Sequence, residues 1–354
     1  LGVASGDPDD TSVILWTRLV IDPEQPDGGV GADPVPVAWE VAADRGFDTI
    51  VSSGTETAEA GFAHSVHATA DGLDPDGTYW YRFSVGDFTS PVGRTRTMPG
   101  PGKAPRSGRF RLAMATCQDF QGGYYAAWGD AAAVDDLDLV VFLGDYIYEL
   151  PNIFTGPDGD TSRRYSSPVP TDLAGYRARY TQVKGDAQLI AAHRSAPFFA
   201  IWDDHEVVNN YTVDVDPVLR QAAYQAWWEH LPVRLAPPRN GELVAYRPLR
   251  VGSLLDLFIL DTRQYTDAPP CPGDDVLGTV PDCPERTNPK RTLLGATQRK
   301  WLLEQLDAST STWTALANPV LFAGLVAGVE EHAEATTDES SRKPKLFMDT
   351  WAGF

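Results

Sequence analysis

The sequence predicts a two-part protein, in which an all-β sandwich over residues 1–100 is followed by an α/β domain over residues 110–354. Three observations indicate this organisation. Before residue 100, short strand-like segments alternate with clusters of Gly, Pro and Asp at the spacing of a sandwich. Residues 101–109 are rich in Gly and Pro, as linkers are. Beyond them, apolar strands that end in polar residues alternate with helical stretches, which is the pattern of an α/β domain.

The N-terminal part contains four clear strand patterns. They cover residues 12–19, 35–44, 64–70 and 78–86. The turn LDPDG and the aromatic strand TYWYRF that follows it resemble the late strands of a fibronectin type III or immunoglobulin-like sandwich. We expect the tryptophans of these segments to lie in a core and predict no catalysis here: Trp16, Trp39 and Trp80.

The second part alternates strands and helices along the chain. Strand patterns cover 110–118, 138–149, 197–206, 254–265 and 312–324, and helical patterns cover 176–183, 220–231 and 296–306. Ligands in α/β sheets bind outside the carboxyl ends of the strands. We therefore expect the functional residues at those ends.

The charge balance excludes some classes of partner. The chain has 29 basic and 49 acidic residues, a formal net charge of −20. Such a field repels nucleic acids and anionic bilayers, whose binding depends on basic patches, and it attracts cations. Solubility alone is the simpler explanation of this acidity. The longest apolar runs have strand length, so we predict no transmembrane segment.

The three cysteines divide into a pair and a single residue. Cys271 and Cys283 share a loop rich in Pro and Gly, where they are able to form a disulfide. That bond predicts an oxidising compartment, so we expect a secreted protein whose leader peptide has been removed. Cys117 is left over, and an unpaired thiol in a secreted protein requires a reason.

Three strand ends collect polar residues that suit a metal site. Taken singly, each has a simpler explanation, such as a capping Asp, a small buried Cys or a paired His. The uninterrupted Asp-Asp-His-Glu run is harder to explain without a cation or hydrogen bonds that offset its charges. The residues follow the segments FRLAMATCQ, LVVFLGDYIYE and FFAIWDDHEVVNNY: Cys117, Asp145, Tyr148, Glu149, Asp203, Asp204, His205, Glu206, Asn209 and Asn210.

The residue types predict two kinds of metal. A thiolate, a phenolate and a carboxylate together suit iron(III) better than zinc, whereas carboxylate and amide oxygens suit a hard cation such as calcium. Competing catalytic motifs are absent from the sequence: there is no Gly-x-Ser-x-Gly elbow, no Gly-Lys-Ser/Thr loop and no His-x-Lys motif.

The motifs together resemble the alkaline phosphatase D (PhoD-like) family of phosphatases and phosphodiesterases. LGVASGDPDDTSVILWTRL and SPVGRTRTMP resemble the start and end of its N-terminal domain. ATCQ, LDLVVFLGDYIYE, WDDHEVVNNY and LDLFILDTRQY resemble the motifs of its catalytic domain, in the same order. The resemblance implies that residues 110–354 form a calcineurin-like metallophosphoesterase, a four-layer α/β sandwich. Cys117 stands where the wider calcineurin-like group has an Asp-x-His pair.

The resemblance also implies roles for single residues. Cys117 and Tyr148 would ligate Fe³⁺, and Asp145 would bridge Fe³⁺ to Ca²⁺. Asp203 or Asp204, together with Asn210, would serve Ca²⁺ and orient the phosphate, and the choice between the two Asp residues stays open. The catalytic residues would be Asp145, His205 and Asn210. His205 would either hydrogen-bond the phosphate or contact a metal ligand without touching the phosphate itself. Arg163 and Arg164 are candidate phosphate contacts, although two solvated arginines are the simpler explanation.

The implied reaction is the hydrolysis of a phosphoester by a metal-activated hydroxide. A related group is the secreted actinobacterial phospholipase D that lacks the His-x-Lys motif, and ANPVLFAG departs from the Gln-containing version of the plain phosphatases. We therefore expect a phospholipase D that converts phosphatidylcholine to phosphatidic acid and choline. The alternatives are an alkaline phosphatase D or a wall-polymer phosphodiesterase with the same cluster, and a secreted binding module without catalysis.

The family supplies further metal ligands from a Gly-Asp-x-His strand beyond MDTWAGF. We therefore expect the α/β domain to be incomplete at its C-terminal side. The expected partner is a C-terminal fragment of the same protein that supplies the remaining ligands.

Overall fold

The computed structural model describes residues 1–151, 163–271, 279–324, 326–329 and 344–354. Eight strands lie before residue 100: Val3–Gly6 (β1), Val13–Arg18 (β2), Val35–Ala42 (β3), Ile50–Ala58 (β4), Ser65–Ala70 (β5), Thr78–Val85 (β6), Phe88–Thr89 (β7) and Gly93–Arg96 (β8). The described residues after 110 form five α-helices and nine strands: Leu112–Ala115 (β9), Ala126–Ala132 (α1), Leu139–Leu143 (β10), Leu173–Lys184 (α2), Ala187–Ser195 (α3), Phe198–Ile201 (β11), Pro217–His230 (α4), Arg247–Val251 (β12), Leu255–Ile259 (β13), Thr279–Pro281 (β14), Gly295–Ala308 (α5), Trp313–Ala317 (β15), Val326–Val329 (β16) and Pro344–Phe347 (β17).

The nine predicted strands and three predicted helices are present, although the patterns over 138–149, 197–206, 254–265 and 312–324 extend several residues beyond the strands. The elements that were not predicted are β1, β4, β7, β8, β12, β14, β16, β17, α1 and α3. Strand β4 has the burial pattern of a surface strand and is poor in large apolar residues, so its sequence resembles a loop. Of the three tryptophans expected in the core, Trp16 and Trp39 are buried and Trp80 is only half-buried.

The first two sheets divide the N-terminal strands between them. Strands β4, β3, β6 and β7 form one sheet, with β8 beside β6. Strands β5, β2 and β1 continue into β11, β10 and β9, so that one six-stranded sheet runs through both parts of the chain. One buried cluster fills the space between the two N-terminal sheets, including Val13, Val37, Trp39 and Tyr81. The predicted boundaries near residues 100 and 110, and the fibronectin or immunoglobulin likeness, stay predictions.

The α/β part is layered as helix, sheet, sheet and helix. Phe198 of β11 packs on one face against Trp128 of α1, while the next residue, Phe199, contacts Arg247 of β12 from the other face. On the second sheet, β12-β13-β15, Phe258 faces away from that interface and packs against Trp301 of α5. Adjacent residues of a strand point to opposite faces, so each strand contributes to two layers.

Strands β9, β10 and β11 are parallel neighbours. Their carboxyl ends therefore meet at one edge of the sheet, and the residues that follow each strand lie side by side. A fourth, small sheet orders its strands β14-β17-β16, and next to it a disulfide joins Cys271 and Cys283, whose Cα atoms are 5.8 Å apart. None of the helices in the described ranges has the length and apolar character needed to cross a bilayer.

Lys184, the last residue of α2, is buried among N-terminal and α/β side chains. Its Nζ lies 4.2 Å from the centroid of the Trp16 ring and has no hydrogen-bond partner among the described residues. Burial, helped by the charge of Arg18, holds the pKa of Lys184 well below its usual range. The residue therefore costs stability, because its ammonium form is poorly solvated here.

Replacing Lys184 by Met should raise the free energy of unfolding by about 1–3 kcal/mol at pH 7, because it removes an unpaired buried amine but keeps most of the packing. The unfolded chain binds more protons at this site than the folded chain, so the stability of the wild type rises with pH. The gain from Met should therefore shrink as the pH approaches about 10.4, the ordinary lysine value. Denaturant unfolding of both proteins at several pH values measures this difference in the free energy of unfolding. Lys300→Met, at an exposed position, is the control, and an equal effect of both changes would contradict the prediction.

Candidate metal centre

The predicted site residues meet where the parallel strands end. Cys117 follows β9, Asp145 follows β10, and the Asp-Asp-His-Glu run follows β11. The loops are tied together by their backbones: the amide of Cys117 donates to the carbonyl of Gly144 at 3.1 Å, and that of Gln118 donates to the carbonyl of Asp145 at 3.1 Å. The convergence expected from the strand pattern is therefore present.

Three of these residues have left-handed backbone, which is unusual outside glycine. The φ angles are 56° at Cys117, 57° at Asp145 and 54° at Asn210. Such conformations cost energy and persist where the surroundings require them. Gly144 makes the turn possible, because a Cβ added there would lie 2.2 Å from the amide nitrogen of Asp203. The sharp turns direct the three side chains out of the sheet edge.

One carboxylate oxygen joins the three proposed iron ligands. Oδ2 of Asp145 accepts a hydrogen bond from Sγ of Cys117 at 3.3 Å and another from the hydroxyl of Tyr148 at 3.0 Å. The other oxygen, Oδ1 of Asp145, is buried and has no hydrogen-bond partner among the described residues. An unsatisfied buried carboxylate oxygen beside a thiol and a phenol is the environment in which a cation replaces protons.

The pKa values explain why the Cys117 thiol and the Tyr148 hydroxyl hold their protons when no cation is present. Cys117 is exposed, but desolvation by the groups around its thiol and the negative charge of Asp145 raise the pKa of that thiol to about 12. Burial, with the charges of Asp145 and Cys117, raises the pKa of the Tyr148 hydroxyl well above its usual range. Burial and the neighbouring Asp204 raise the pKa of Asp145 to about 6.

Asp204 and His205 lie on the other side of Asp145. A ligand atom from each of Asp145, Asp204 and His205 lies within 4.8 Å of the other two, close enough for one ion. Nδ1 of His205 bonds to Oε2 of Glu149 at 2.8 Å, which orients the ring and leaves Nε2 as its second nitrogen. Burial alone lowers the pKa of His205, but the bond to Glu149 and the charges of Asp204 and Asp145 raise it to about 9.

Arg263, which the sequence did not single out, separates Asp203 from this group. Its Nε and Nη2 lie 2.5 and 3.2 Å from the two carboxylate oxygens of Asp203. Nη2 also contacts Asp204 at 3.3 Å and Asp349 at 3.6 Å. Burial raises the pKa of Asp203 to about 8 despite this partner, whereas the charges of Arg263 and His205 overcome burial and lower the pKa of Asp204.

Glu206 and Asn210 hold the aspartates of the site in place through hydrogen bonds. The fully buried Glu206 accepts from the backbone amides of Asp145 and Asp203 through Oε2, at 3.0 and 2.8 Å. It therefore locks two strand ends together. The backbone amide of Asn210 donates to Asp204 at 2.6 Å. The Asn210 side chain lies between Asp204 and Asp349, at 3.3 and 3.0 Å, and donates to both when its nitrogen faces them.

Arg163 has structural partners in the described residues. Its guanidinium donates to the carbonyls of Phe120 and Gly123 at 2.9 and 2.6 Å and pairs with Asp186 at 2.6 Å. Arg164 accepts a hydrogen bond from Gln182 on its carbonyl. That these two arginines contact phosphate stays a prediction. The hydrogen bonds of Arg163 to Phe120 and Gly123 hold it against the segment that follows Cys117.

Sequence reasoning overlooked the partners that hold the ligands. Arg263 follows strand β13 in the motif LDTRQY, and a polar residue at a strand end was the available signal. Asp349 lies near the end of the chain, and its Oδ1 is buried without a hydrogen-bond partner among the described residues. Glu149 and Glu206 were noted only as members of charged runs. The residues present fit cations, because two buried carboxylate oxygens here lack partners and hard and soft donors lie together.

The chain matches known proteins over its whole length. Residues 1–99 match the family model "PhoD-like phosphatase, N-terminal domain", and residues 112–354 match "PhoD-like phosphatase". It is 43% identical to alkaline phosphatase D of Bacillus subtilis (strain 168), over 100% of this chain and 59% of that protein. A solved structure of PhoD superposes with a TM-score of 0.90 and 42% identity, covering 99% of this chain and 66% of that one.

The chain thus spans about three fifths of the length of its curated relative, at 59%. None of these comparisons supports the prediction that a separate C-terminal fragment is a partner of this chain. The family resemblance predicted from the strand-end motifs is confirmed by both family models and by the full-length identity. With its cluster of Cys117, Asp145 and Tyr148 beside Asp204 and His205, the chain belongs to the PhoD-like phosphatase family.

Proposed function

We propose that the protein containing this chain is a metal-dependent phosphoester hydrolase of the alkaline phosphatase D type. The observation that carries the proposal is the shared Oδ2 of Asp145, which the Cys117 thiol and the Tyr148 hydroxyl both approach. Asp204 and His205 lie close enough on the other side for a second ion. The name of the Bacillus relative supports the same reaction class. A binding module without catalysis would not require this convergence of donors.

The donor chemistry supports two different ions. Cys117, Asp145 and Tyr148 would hold Fe³⁺, because thiolate and phenolate are strong charged donors for a trivalent metal. Asp204, Asn210 and the second oxygen of Asp145 would hold Ca²⁺, which prefers carboxylate and amide oxygens. We assign Asp204 rather than Asp203, since Arg263 occupies both carboxylate oxygens of Asp203.

When bound, such ions polarise phosphoryl oxygens and acidify water, which is the chemistry that phosphoester hydrolysis needs. The protein contributes orientation and charge. His205, fixed by Glu149, would donate a hydrogen bond to an anionic phosphate oxygen. Asn210, anchored on Asp204, would orient the ester beside it.

The substrate proposal is a phosphomonoester or phosphodiester, and the name of the relative favours alkaline phosphatase over phospholipase D. The paired assay scores phosphate from p-nitrophenyl phosphate, nitrophenol from bis(p-nitrophenyl) phosphate and choline from phosphatidylcholine, each with and without chelator. Release that a chelator abolishes supports the proposal, and choline release alone assigns phospholipase D. No hydrolysis of any ester by the metal-loaded full-length protein would falsify the proposal.

Secretion is proposed on the Cys271–Cys283 disulfide, because such bonds persist in oxidising compartments. The two-sheet N-terminal region is proposed to be a fibronectin III or immunoglobulin-like sandwich, because a single core fills it. Neither proposal affects the chemistry of the site.

Replacing Tyr148 by Phe should remove most of the iron and any visible absorption, because the phenolate is the expected source of a charge-transfer band. Activity should fall at least about 100-fold, or about 2.7 kcal/mol in barrier height. Phe keeps the ring contact with His205, whose centroid lies 4.2 Å away, so the protein should remain folded. Metal analysis, absorption spectroscopy and kinetics measure the change.

The matched control is Tyr180→Phe, since Tyr180 is buried and its hydroxyl has no hydrogen-bond partner among the described residues. It should keep iron, colour and activity. Wild-type iron content in Tyr148→Phe would remove Tyr148 from the ligand set.

A further inference from the structure

Three arginines line a pocket between the N-terminal strands and the α/β part. The pocket encloses about 230 Å³, and Trp80 forms part of its wall. Arg45 comes from the turn between β3 and β4, Arg94 from β8, and Arg194 from the last turn of α3. Arg94 lies directly opposite Trp80 on adjacent strands, so both side chains project from the same face of their sheet.

These arginines lack the carboxylate partners that arginines such as Arg163 and Arg247 have. Among the described residues, none of the three forms an ion pair, although the chain has an excess of acidic residues. Nε of Arg194 is buried without a hydrogen-bond partner in the described part of the chain. Arg94 uses Nη1 to bond the carbonyls of Leu137 and Ser195, at 2.8 and 3.0 Å. Asp135 is the one acidic residue on the pocket wall, and it lies outside ion-pair distance.

The pocket lies at the opposite edge of the sheet from the metal centre. Leu137 and Ser195, whose carbonyls hold Arg94, come just before β10 and β11, whereas the metal ligands follow the carboxyl ends of these strands. Five strand residues at about 3.3 Å each separate the two edges by roughly 16 Å. An anion in the pocket therefore cannot also touch the metal ligands.

We infer that Arg45, Arg94 and Arg194 form a second anion site for a small phosphate-type oxyanion. Guanidinium groups match tetrahedral oxyanions in shape and charge, and three of them around one small pocket offset its desolvation. The choice of phosphate over other oxyanions rests on the proposed function, because that reaction releases phosphate. Binding would connect the β3–β4 turn and β8 to α3, and would therefore stabilise the contact between the two parts of the chain.

The test measures phosphate binding to chelator-treated protein by calorimetry and by thermal unfolding. Without metal, the catalytic centre keeps His205 and the carboxylate-paired Arg263 as cations, so the pocket variants below decide which of the two sites binds the phosphate. We expect one site per chain, and a rise in Tm of several degrees when phosphate exceeds its Kd by about 50-fold. Arg45→Ala and Arg194→Met should each weaken binding about tenfold, which corresponds to one lost charge-assisted hydrogen bond. Arg94 is left unchanged because it also supports two carbonyls.

Arg299→Ala, an exposed arginine on α5, is the control for the change in net charge and should bind as the wild type does. Ester hydrolysis should be unchanged in Arg45→Ala, whose side chain is exposed. Binding that appears only in metal-loaded protein, or that survives in the Arg45→Ala/Arg194→Met double variant, would overturn the inference. Loss of hydrolysis with intact pocket binding would contradict only the proposed function, so the two failures are distinguishable.

Discussion

Replacing Asp145 by Asn should lower kcat/KM for ester hydrolysis by at least about 1,000-fold, or about 4 kcal/mol of transition-state stabilisation. Asp145 is the residue that both proposed metal positions share, since Cys117 and Tyr148 meet at its Oδ2 and Asp204 and His205 lie beside it. Asn has the same size but no charge, so it still accepts a hydrogen bond and yet binds cations poorly. Steady-state kinetics with metal analysis measure the effect.

The same change should not destabilise the metal-free protein. Asp145 is buried, and one of its oxygens has no partner among the described residues, so its charge is costly without a cation. Thermal unfolding in chelator should therefore give Asp145→Asn a Tm at least as high as that of the wild type. Asp130→Asn, on the exposed side of α1, removes the same charge and should leave activity unchanged. Retained metal and activity in Asp145→Asn would end the proposal that this carboxylate bridges two ions.

Replacing Arg263 by Met should destabilise the metal-free protein by about 3–5 kcal/mol, the usual cost of leaving a buried charge unpaired. Arg263 is the buried cation that faces Asp203, Asp204 and Asp349 together. Without it, three carboxylates would repel one another and Asp203 would be free to move into the metal centre. Denaturant unfolding in chelator measures the loss.

The stability gained on adding Ca²⁺ distinguishes a charge-balancing role of Arg263 from a purely structural role. In Arg263→Met, added Ca²⁺ should restore more stability than it adds to the wild type, because the ion replaces the lost positive charge between the carboxylates. Arg263→Lys should fall between the two proteins, since a single ammonium cannot span both oxygens of Asp203. A free energy of unfolding within about 1 kcal/mol of the wild type in Arg263→Met would contradict the role assigned here. Arg250→Met, at an exposed arginine, is the control.

Much of the candidate site was predictable because its residues follow buried strands directly. LVVFLGD places Asp145 just beyond β10, and FFAIWDDH places Asp204 and His205 just beyond β11. Parallel strands that are neighbours in a sheet bring such residues together whatever the details of their loops. Cys117 and Tyr148 lie at this edge for the same reason, and donor type alone predicted an iron-like and a calcium-like position.

The proposed choice of Asp204 over Asp203 as a metal ligand rests on the tertiary structure. Both follow the same strand, and their order in the sequence does not tell which one binds Arg263 through both carboxylate oxygens, since Arg263 lies about sixty positions away. Asp349 is farther still along the chain. Such long-range contacts depend on how separate sheets pack, which no local pattern encodes.

The sequence by itself determined nine of the strands, three of the α-helices, the family and the residues at the strand ends, because each depends on local periodicity and on short motifs. The tertiary structure alone decided that β1 pairs with β11, so that the N-terminal strands and the α/β strands share one sheet. It also decided that Arg263 pairs with Asp203, and that Arg45, Arg94 and Arg194 meet in one pocket. These juxtapositions arise from burial and pairing between distant segments, whose free energy depends on the whole packed chain.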